Sequence, residues 1–215
     1  MSDGIVYLEK VRLSFPHIAE PQQNKLNPVK SAYNAEFIMA ENHPGYQKFM
    51  QVYSQLAATK WGDKAQNVMQ MIHGDRKQRC YGSGSDKINK KTFAPYDGYA
   101  GNMYISAANN RGMPQIIRLD GSVCDNTMEA QQLARKMYGG CYVNVAIKPW
   151  LQDNEHGRGV RADLIAIQFA ADGEPFGEAE PDVSGVFGAV AGGQQSQAPA
   201  PQVQMSGLPS FLTGQ

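Results

Sequence analysis

Cationic and aromatic side chains are interleaved in residues 75–99. Acidic residues in the first part of this window, Asp75 and Asp86, are outnumbered by basic ones. The cations are Arg76, Lys77, Arg79, Lys87, Lys90 and Lys91, and the rings are Tyr81, Phe93, Tyr96 and Tyr99. Lys and Arg neutralise phosphates, and rings stack on unpaired bases for about 1–3 kcal/mol each. The window is typical of a surface that binds single-stranded nucleic acid, although a solvated loop with locally packed tyrosines fits it equally well.

A second group of candidate contacts comes from two strand-like runs, residues 141–148 and 160–169, and from a turn before them. Side chains alternate along the first run, with apolar residues such as Cys141 on one face and polar ones such as Lys148 on the other. Residues 151–158 are too many for a tight turn, so they are predicted to form a projecting loop. The candidate nucleic-acid contacts in this group are Arg111, Tyr142, Lys148, Trp150, Arg158 and Arg161.

Common catalytic signatures are absent from the sequence. It contains no G-x-x-x-x-G-K-[ST], no H-E-x-x-H and no G-x-S-x-G. His73 with Cys80 is one conceivable metal or nuclease pair. The other conceivable set is Asp153, Glu155, His156 and Asp163. Polar residues in a loop are more often solvated, so the sequence predicts a protein that is not an enzyme, with no catalytic residue, no metal and no cofactor.

Charge is unevenly distributed along the chain, although the formal net charge is zero. All 20 basic residues, and all but five of the 20 acidic ones, precede residue 171. Residues 1–170 are therefore net +5 and the remainder is net −5. A basic body followed by an acidic tail suits a protein that binds a polyanion, and chance asymmetry is the alternative.

The compartment is indicated by the cysteines and by the first residues. Three cysteines, Cys80, Cys124 and Cys141, show no paired spacing, which suits a reducing cytosol better than a secreted scaffold. The N-terminus lacks the basic and apolar regions of a signal peptide, and no apolar run approaches the roughly 20 residues that span a bilayer. These observations predict a protein of the cytoplasm, with no membrane partner.

Side-chain periodicity predicts a mainly β chain with helical insertions, an α+β class. Period-two alternation predicts strands at residues 5–15, 31–40, 102–108, 115–120, 141–148 and 160–169. Spacings of three and four predict helices at residues 43–61, 63–74 and 127–138. In the first strand the alternation slips at Glu9-Lys10, which predicts a bulge, and Pro16 is predicted to end the strand before a loop at 19–30. Apolar residues on both faces of the last run favour a small closed or nearly closed sheet.

A change of composition divides the chain into a domain at residues 1–177 and a tail at 178–215. Gly, Ala, Gln, Pro and Ser dominate 184–206, which predicts a flexible, disordered segment because it has too little apolar surface to offset the entropy of ordering. An apolar tip follows, with Leu208, Phe211 and Leu212. These three residues are predicted to contact a partner protein.

Several short motifs in order resemble a tailed-phage protein family that was once catalogued only as a domain of unknown function. They are VRLSFP at 11–16, DGY at 97–99, YGGCYVN at 138–144, GVRADLIAIQF at 159–169 and DGEPFG at 172–177. Members of this family are similar in role to the T7-type single-stranded-DNA-binding protein. The resemblance implies an OB-fold-like five-stranded barrel that coats single-stranded DNA without sequence preference in phage replication, recombination or repair.

Three other functions remain open at this point. RNA binding is the nearest, because a stacking surface does not by itself reject a 2′-hydroxyl. A virion or scaffold protein would explain the tail but not the basic, ring-rich body. A metal-dependent nuclease is the least favoured.

Truncation after Gly177 is predicted to leave a folded domain that binds single-stranded DNA more tightly. The acidic residues of the tail lie next to a basic body and can occupy its cationic surface intramolecularly. The gain should be largest at low ionic strength, where screening is weakest. Anisotropy of a labelled oligo-dT at two ionic strengths measures it, and equal affinities of the two forms at low salt would show that the tail does not compete.

Overall fold

The structure is a computed structural model that describes residues 4–24 and 27–177. In chain order its elements are β1 (Val6–Asn24), β2 (Asn27–Met39), α1 (Pro44–Trp61), α2 (Ala65–Gly74), β3 (Tyr81–Ser83), β4 (Met103–Asn109), β5 (Gln115–Ile117), α3 (Thr127–Arg135), β6 (Tyr142–Asn154) and β7 (Gly157–Ala171), with single 3-10 turns at Gly62–Lys64 and Gly84–Asp86. The predicted tail at 178–215, with Leu208, Phe211 and Leu212, lies outside the described residues.

Five of these strands close into a barrel in the order β1-β2-β4-β7-β6. Four of the five neighbouring pairs are antiparallel. The fifth pair, β4 with β7, is parallel and aligns Ala108 with Asp163. The short strands β3 and β5 extend the sheet from β4 and β7. The predicted five-stranded, OB-fold-like barrel with helical insertions is confirmed.

The barrel core follows the predicted alternation of the last two strands. The side chains of Val143, Val145 and Ile147 in β6, and of Cys141 just before it, are almost wholly buried. In β7 alternate residues are buried up to Leu164, and the next buried residue is Ile167, three positions later. The phase changes because Leu164 pairs with Ile147 while Ala166 pairs with Ala146, which leaves one extra residue, a bulge, on β7. The bulge explains why apolar residues occur on both faces of this run.

The first strand contains the predicted bulge but does not end where predicted. Its register against β6 shifts between Leu8 and Val11, and Lys10 has φ +51°. The prediction that Pro16 ends the strand is wrong, because β1 continues to Asn24 and pairs with β2. Proline lacks an N–H for the ladder, and here the register shifts between Ser14 and His17, so Pro16 lies in an irregularity.

The projecting loop predicted at 151–158 is also wrong. β6 runs to Asn154, β7 begins at Gly157, and only Glu155 and His156 connect them. Gly157 has φ +99°, which favours glycine, and the His156 N–H donates to Asn154 Oδ1 at 3.0 Å. Asn154 and Gly157 therefore support a tight hairpin rather than a loop.

The three predicted helices are present and pack on the barrel strands. α1 begins at Pro44, capped by the His43 side chain, and buries Tyr46, Phe49 and Tyr53 against β1 and β6. α2 packs on β7, and α3, which is shorter than predicted, packs on β1. Within the described part of the chain, no helix has the length and apolarity that crossing a membrane requires.

Backbone hydrogen bonds attach residues 75–99, called the basic window below, to the barrel. The Val160 N–H donates to Gln78 O at 2.8 Å, and the Ser106 N–H donates to Cys80 O at 2.6 Å. At the other end, the Gly84 N–H donates to Asn102 O at 2.7 Å. The basic window is therefore attached to the barrel beside the line along which β4 and β7 meet, and these three hydrogen bonds form its base.

Replacing Gly84 with alanine is predicted to destabilise this base. A Cβ at position 84 would lie 2.0 Å from Tyr99 O and 2.9 Å from Asn102 O, both backbone atoms. Overpacking of this kind costs about 1–3 kcal/mol of unfolding free energy. Gly74→Ala is the matched control, since nothing lies within 4 Å of its Cβ position. Urea denaturation of the two variants measures the difference, and equal stabilities would contradict the packing at Gly84.

Candidate nucleic-acid interface

A groove crosses the barrel surface where β4 and β7 meet, and it is called the seam groove below. Its central cavity has a volume of about 450 Å³ and shares Arg76 and Lys87 with a neighbouring cavity of about 550 Å³. On the other side it shares Trp150 and Asp163 with a cavity of about 560 Å³. Strands β2 and β4 contribute to its lining, together with the basic window and the β6–β7 hairpin.

Many of the predicted contacts meet in the seam groove. Those that line it are Arg76, Arg79, Lys87, Lys90, Arg111, Lys148, Trp150 and Arg161. Half of this set comes from the basic window and half from residues 111–161, so the two groups that the sequence separates form one surface.

Five of the cations in the groove have no acidic partner within residues 4–24 and 27–177. They are Arg76, Arg79, Lys90, Lys148 and Arg161. The Arg161 guanidinium is positioned by neutral groups, donating to Gln152 Oε1 at 3.2 Å and to Lys77 O at 3.0 Å. Arg79 donates to Tyr81 O at 3.2 Å, and its Nε is buried without a partner among the described residues. These guanidinium groups are oriented while their charge stays uncompensated.

Two acidic side chains in the groove hold neighbouring groups in place. Glu36 accepts from Lys87 Nζ and from the Tyr99 hydroxyl, each at 2.5 Å. Asp163 accepts from the Trp150 indole N–H at 2.9 Å and also pairs with Arg111. Lys87 and Arg111 are consequently partly neutralised, in contrast to the five cations without an acidic partner.

Aromatic side chains lie in the groove at different depths, and those that are exposed can stack on a base. Trp150 is 41% exposed, and its bond to Asp163 fixes the orientation of the indole. Tyr104 lies at the bottom, buried under Lys87, whose Nζ is 4.5 Å from the ring centroid. Phe93, at the far end, is 84% exposed. The sequence analysis named Phe93 as a ring of the basic window but did not choose it as an individual contact, because its exposure is visible only in the structure.

Two predicted stacking rings are removed from the candidate set by burial. Tyr81 is 3% exposed and packs between Phe49 and Tyr53 at centroid distances of 5.8 and 6.0 Å. Tyr99 is wholly buried. Burial raises the pKa of both phenols, and the Glu36 carboxylate raises that of Tyr99 further. A base cannot reach either ring, so both serve the core.

The remaining predicted contacts lie outside the seam groove. Lys77 is exposed beside it, and Arg158 pairs with Asp153 at 3.3 Å on the hairpin. The Arg12 guanidinium covers the Tyr142 ring at 5.7 Å. Lys91 and Tyr96 line a different cavity.

Neither conceivable catalytic set is assembled. Burial raises the pKa of the Cys80 thiol to about 12, and His73 Nδ1 lies 3.4 Å from the Tyr81 hydroxyl. Asp153 accepts from the Trp61 indole, whereas Asp163 is engaged in the groove. Among the described residues, no group of three or more His, Cys, Asp or Glu side chains could hold a metal ion.

Comparison with known proteins gives the family of this chain. The model of a family described as "Enterobacter phage Enc34, ssDNA-binding protein" matches residues 5–195, which is most of the sequence. The chain belongs to this Enc34 family. The predicted resemblance to a phage family of single-stranded-DNA-binding proteins is confirmed.

One curated relative and two solved structures are similar to this chain. Putative protein p50 of Acyrthosiphon pisum secondary endosymbiont phage 1 is 31% identical over 173 residues, covering 80% of this chain and 85% of p50. The single-stranded DNA-binding protein of bacteriophage Enc34, solved with ssDNA, is 22% identical with a TM-score of 0.63, covering 82% of this chain and 91% of that one. Its C-terminal truncation is 24% identical with a TM-score of 0.60, covering 81% and 90%. At these identities the solved structures show a shared fold.

Tyr99→Phe in this Enc34-family protein is predicted to lower the unfolding free energy by about 1–3 kcal/mol. The change removes a buried hydrogen bond to a carboxylate and leaves Glu36 with one donor fewer. Tyr96→Phe is the control, because the Tyr96 hydroxyl makes no hydrogen bond within the described residues. Chemical denaturation compares the two, and a Tyr99→Phe variant as stable as the wild type would show that the bond contributes nothing.

Proposed function

We propose that this Enc34-family protein binds single-stranded DNA in the seam groove without sequence preference, and that it acts in phage DNA replication, recombination or repair. The observation that carries the proposal is the pairing of an exposed, oriented Trp150 with cations that have no acidic partner. The groove that holds this combination also takes part of its lining from β2 and β4, the second and third strands of the barrel. OB-folds bind oligonucleotides on the face of their second and third strands.

The chemistry of the groove matches a single strand. Cations such as Arg76 and Arg161 bind phosphate oxygens and release condensed counterions, so the logarithm of affinity falls with the logarithm of salt concentration. The slope is about −0.7 for each phosphate neutralised on a single strand. Bases in a duplex are already stacked on each other, so only an unpaired base can place its face on the Trp150 ring.

Lack of sequence preference follows from the same contacts. Stacking uses the face that every base has, and phosphate contacts carry no sequence information directly. The two acidic groups, Glu36 and Asp163, already accept hydrogen bonds from the protein. Their carboxylates are occupied in orienting Lys87 and Trp150 rather than reading base edges.

A protein partner and a cellular compartment are also proposed. The tip residues Leu208, Phe211 and Leu212 remain the predicted contacts for a phage or host replication protein. The host-cell cytoplasm, where phage DNA is copied, is the proposed site of action.

Trp150→Ala is predicted to weaken binding to poly-dT by about 1–3 kcal/mol and to leave the melting temperature nearly unchanged. The ring is exposed, so its loss removes a stacking surface rather than core packing. Trp61→Ala is the matched control. Trp61 is the other tryptophan of the chain, its indole N–H also donates to an aspartate, and it lies outside the groove. Filter binding at several salt concentrations measures both variants.

Duplex DNA and RNA of the same length complete the experiment. The proposal expects poly-dT to bind more tightly than the duplex, with an affinity that falls steeply with salt. An affinity that is flat with salt, or equal losses in the two tryptophan variants, would contradict binding in the seam groove. Preferential binding of RNA would assign the same groove to RNA instead.

A further inference from the structure

Two exposed phenylalanines have a backbone conformation that L-residues avoid. Phe15 has φ +45° and Phe93 has φ +56°. Among the non-glycine residues that the structure describes, only Lys10 shares this feature. A bulky residue in the left-handed region is a genuine outlier, and such strain concentrates at functional sites. Phe93 is 84% exposed and Phe15 44%, so neither ring is compensated by full burial.

The strain at Phe93 is maintained by the loop that carries it. Ile88 and Pro95 form a bridge, and the Asn89 N–H donates to Ala94 O at 2.8 Å. The Phe93 N–H donates to Asn89 O at 2.8 Å. These bonds fix the turn while the Phe93 ring points away from the core, so the loop displays the ring instead of packing it.

A second cavity lies on the other side of this loop. Its volume is about 700 Å³, and Phe15, Tyr96 and Phe176 are among the residues that line it. Phe15 and Tyr96 meet edge to face with centroids 5.1 Å apart. Phe176 is held from behind by the Arg12 guanidinium, 4.4 Å from its centroid. The cavity therefore has several positioned rings, one of them half exposed.

The second cavity contains a cation that can bind a phosphate. It is lined by one basic residue, Lys91, and one acidic residue, Asp97. Asp97 already accepts from the Gly177 N–H at 2.9 Å. Lys91 has no acidic partner in the part of the chain that the structure describes. A free cation beside stacking rings is the same combination that the seam groove contains.

One loop joins the two cavities. Lys90 and Phe93 line the end of the seam groove, whereas Lys91 and Thr92 line the second cavity. Neighbouring residues of the chain thus offer one cation to each side, and Phe93 lies at the crossing. This continuity with the proposed binding surface identifies the occupant as nucleic acid.

We propose that a bound single strand leaves the seam groove across Phe93 and continues into the second cavity, where a base stacks on Phe15 and a phosphate binds Lys91. The inference rests on the proposed function and extends it to a longer binding path. Two strained phenylalanines are then the stacking positions of this extension.

The test uses the full-length protein and a ladder of oligo-dT from about 4 to 20 nucleotides, spanning the site sizes of single OB-folds. Wild-type affinity should rise at the length that first fills the second cavity. Phe15→Asn removes the ring and keeps a residue that tolerates positive φ. This variant should bind short oligomers like the wild type and lose roughly tenfold only beyond that length. Phe93→Gly should show the same loss with an unchanged or higher melting temperature, because glycine relieves the strain.

Lys91→Ala keeps the experiment decisive if Phe15→Asn folds poorly, since Lys91 is exposed and its removal disturbs no packing. It should lose affinity only on the longer oligomers. Trp150→Ala is the reference and should lose affinity at every length. If Phe15→Asn, Phe93→Gly and Lys91→Ala match the wild type at all lengths while Trp150→Ala is weakened, the longer path is wrong and binding is confined to the seam groove. If Trp150→Ala also binds normally, the proposed function itself fails.

Discussion

The parallel pairing of β4 with β7 is the constraint on which the rest of the structure depends. Antiparallel neighbours along a chain can pair through short turns, but a parallel pair needs a long crossover connection. Here the crossover includes α3 and β6, and a single aligned pair, Ala108 with Asp163, closes the ring. Closure removes the open edges of the barrel sheet and creates the seam that the basic window and the β6–β7 hairpin both approach. Arg79 and Arg161 both line the cavity at this seam.

In the seam groove the carboxylates orient neighbouring protein side chains, and several cations remain available to bind a ligand. A buried carboxylate costs free energy unless donors satisfy it, and Glu36 has two, Lys87 and Tyr99. The Asp163 carboxylate accepts a hydrogen bond from Trp150 and forms an ion pair with Arg111. Each acid therefore stabilises a polar group of the wall, while Arg76, Arg79 and Arg161 make no ion pair among the described residues. Uncompensated cations repel each other modestly in the free protein, and a polyanion relieves that repulsion.

Paired strands and backbone hydrogen bonds fix the positions of side chains that would vary if a flexible loop carried them. The tight turn at Glu155-His156 lets β6 and β7 pair along their full length, so Trp150 and Arg161 lie opposite each other on a ladder. Hydrogen bonds at Gln78, Cys80 and Gly84 tie the basic window to the same barrel. A site supported by paired strands keeps its geometry before a ligand arrives, which reduces the entropy that binding must overcome.

The amino-acid sequence by itself determined most of the elements and most of the residues of the candidate site. Alternation in residues 141–148 and spacings of three and four in 43–61 predicted a strand and a helix that the structure contains, because burial of one face imposes its period on the chain. Tertiary structure alone decided which predicted groups are usable. A period-two pattern defines two faces but not which one a distant segment covers, so Tyr81 and Tyr99 became core while Trp150 stayed exposed. The pairing of each cation depends likewise on carboxylates brought near by barrel closure, as Glu36 is to Lys87, and that proximity is a property of the closed fold rather than of any local pattern.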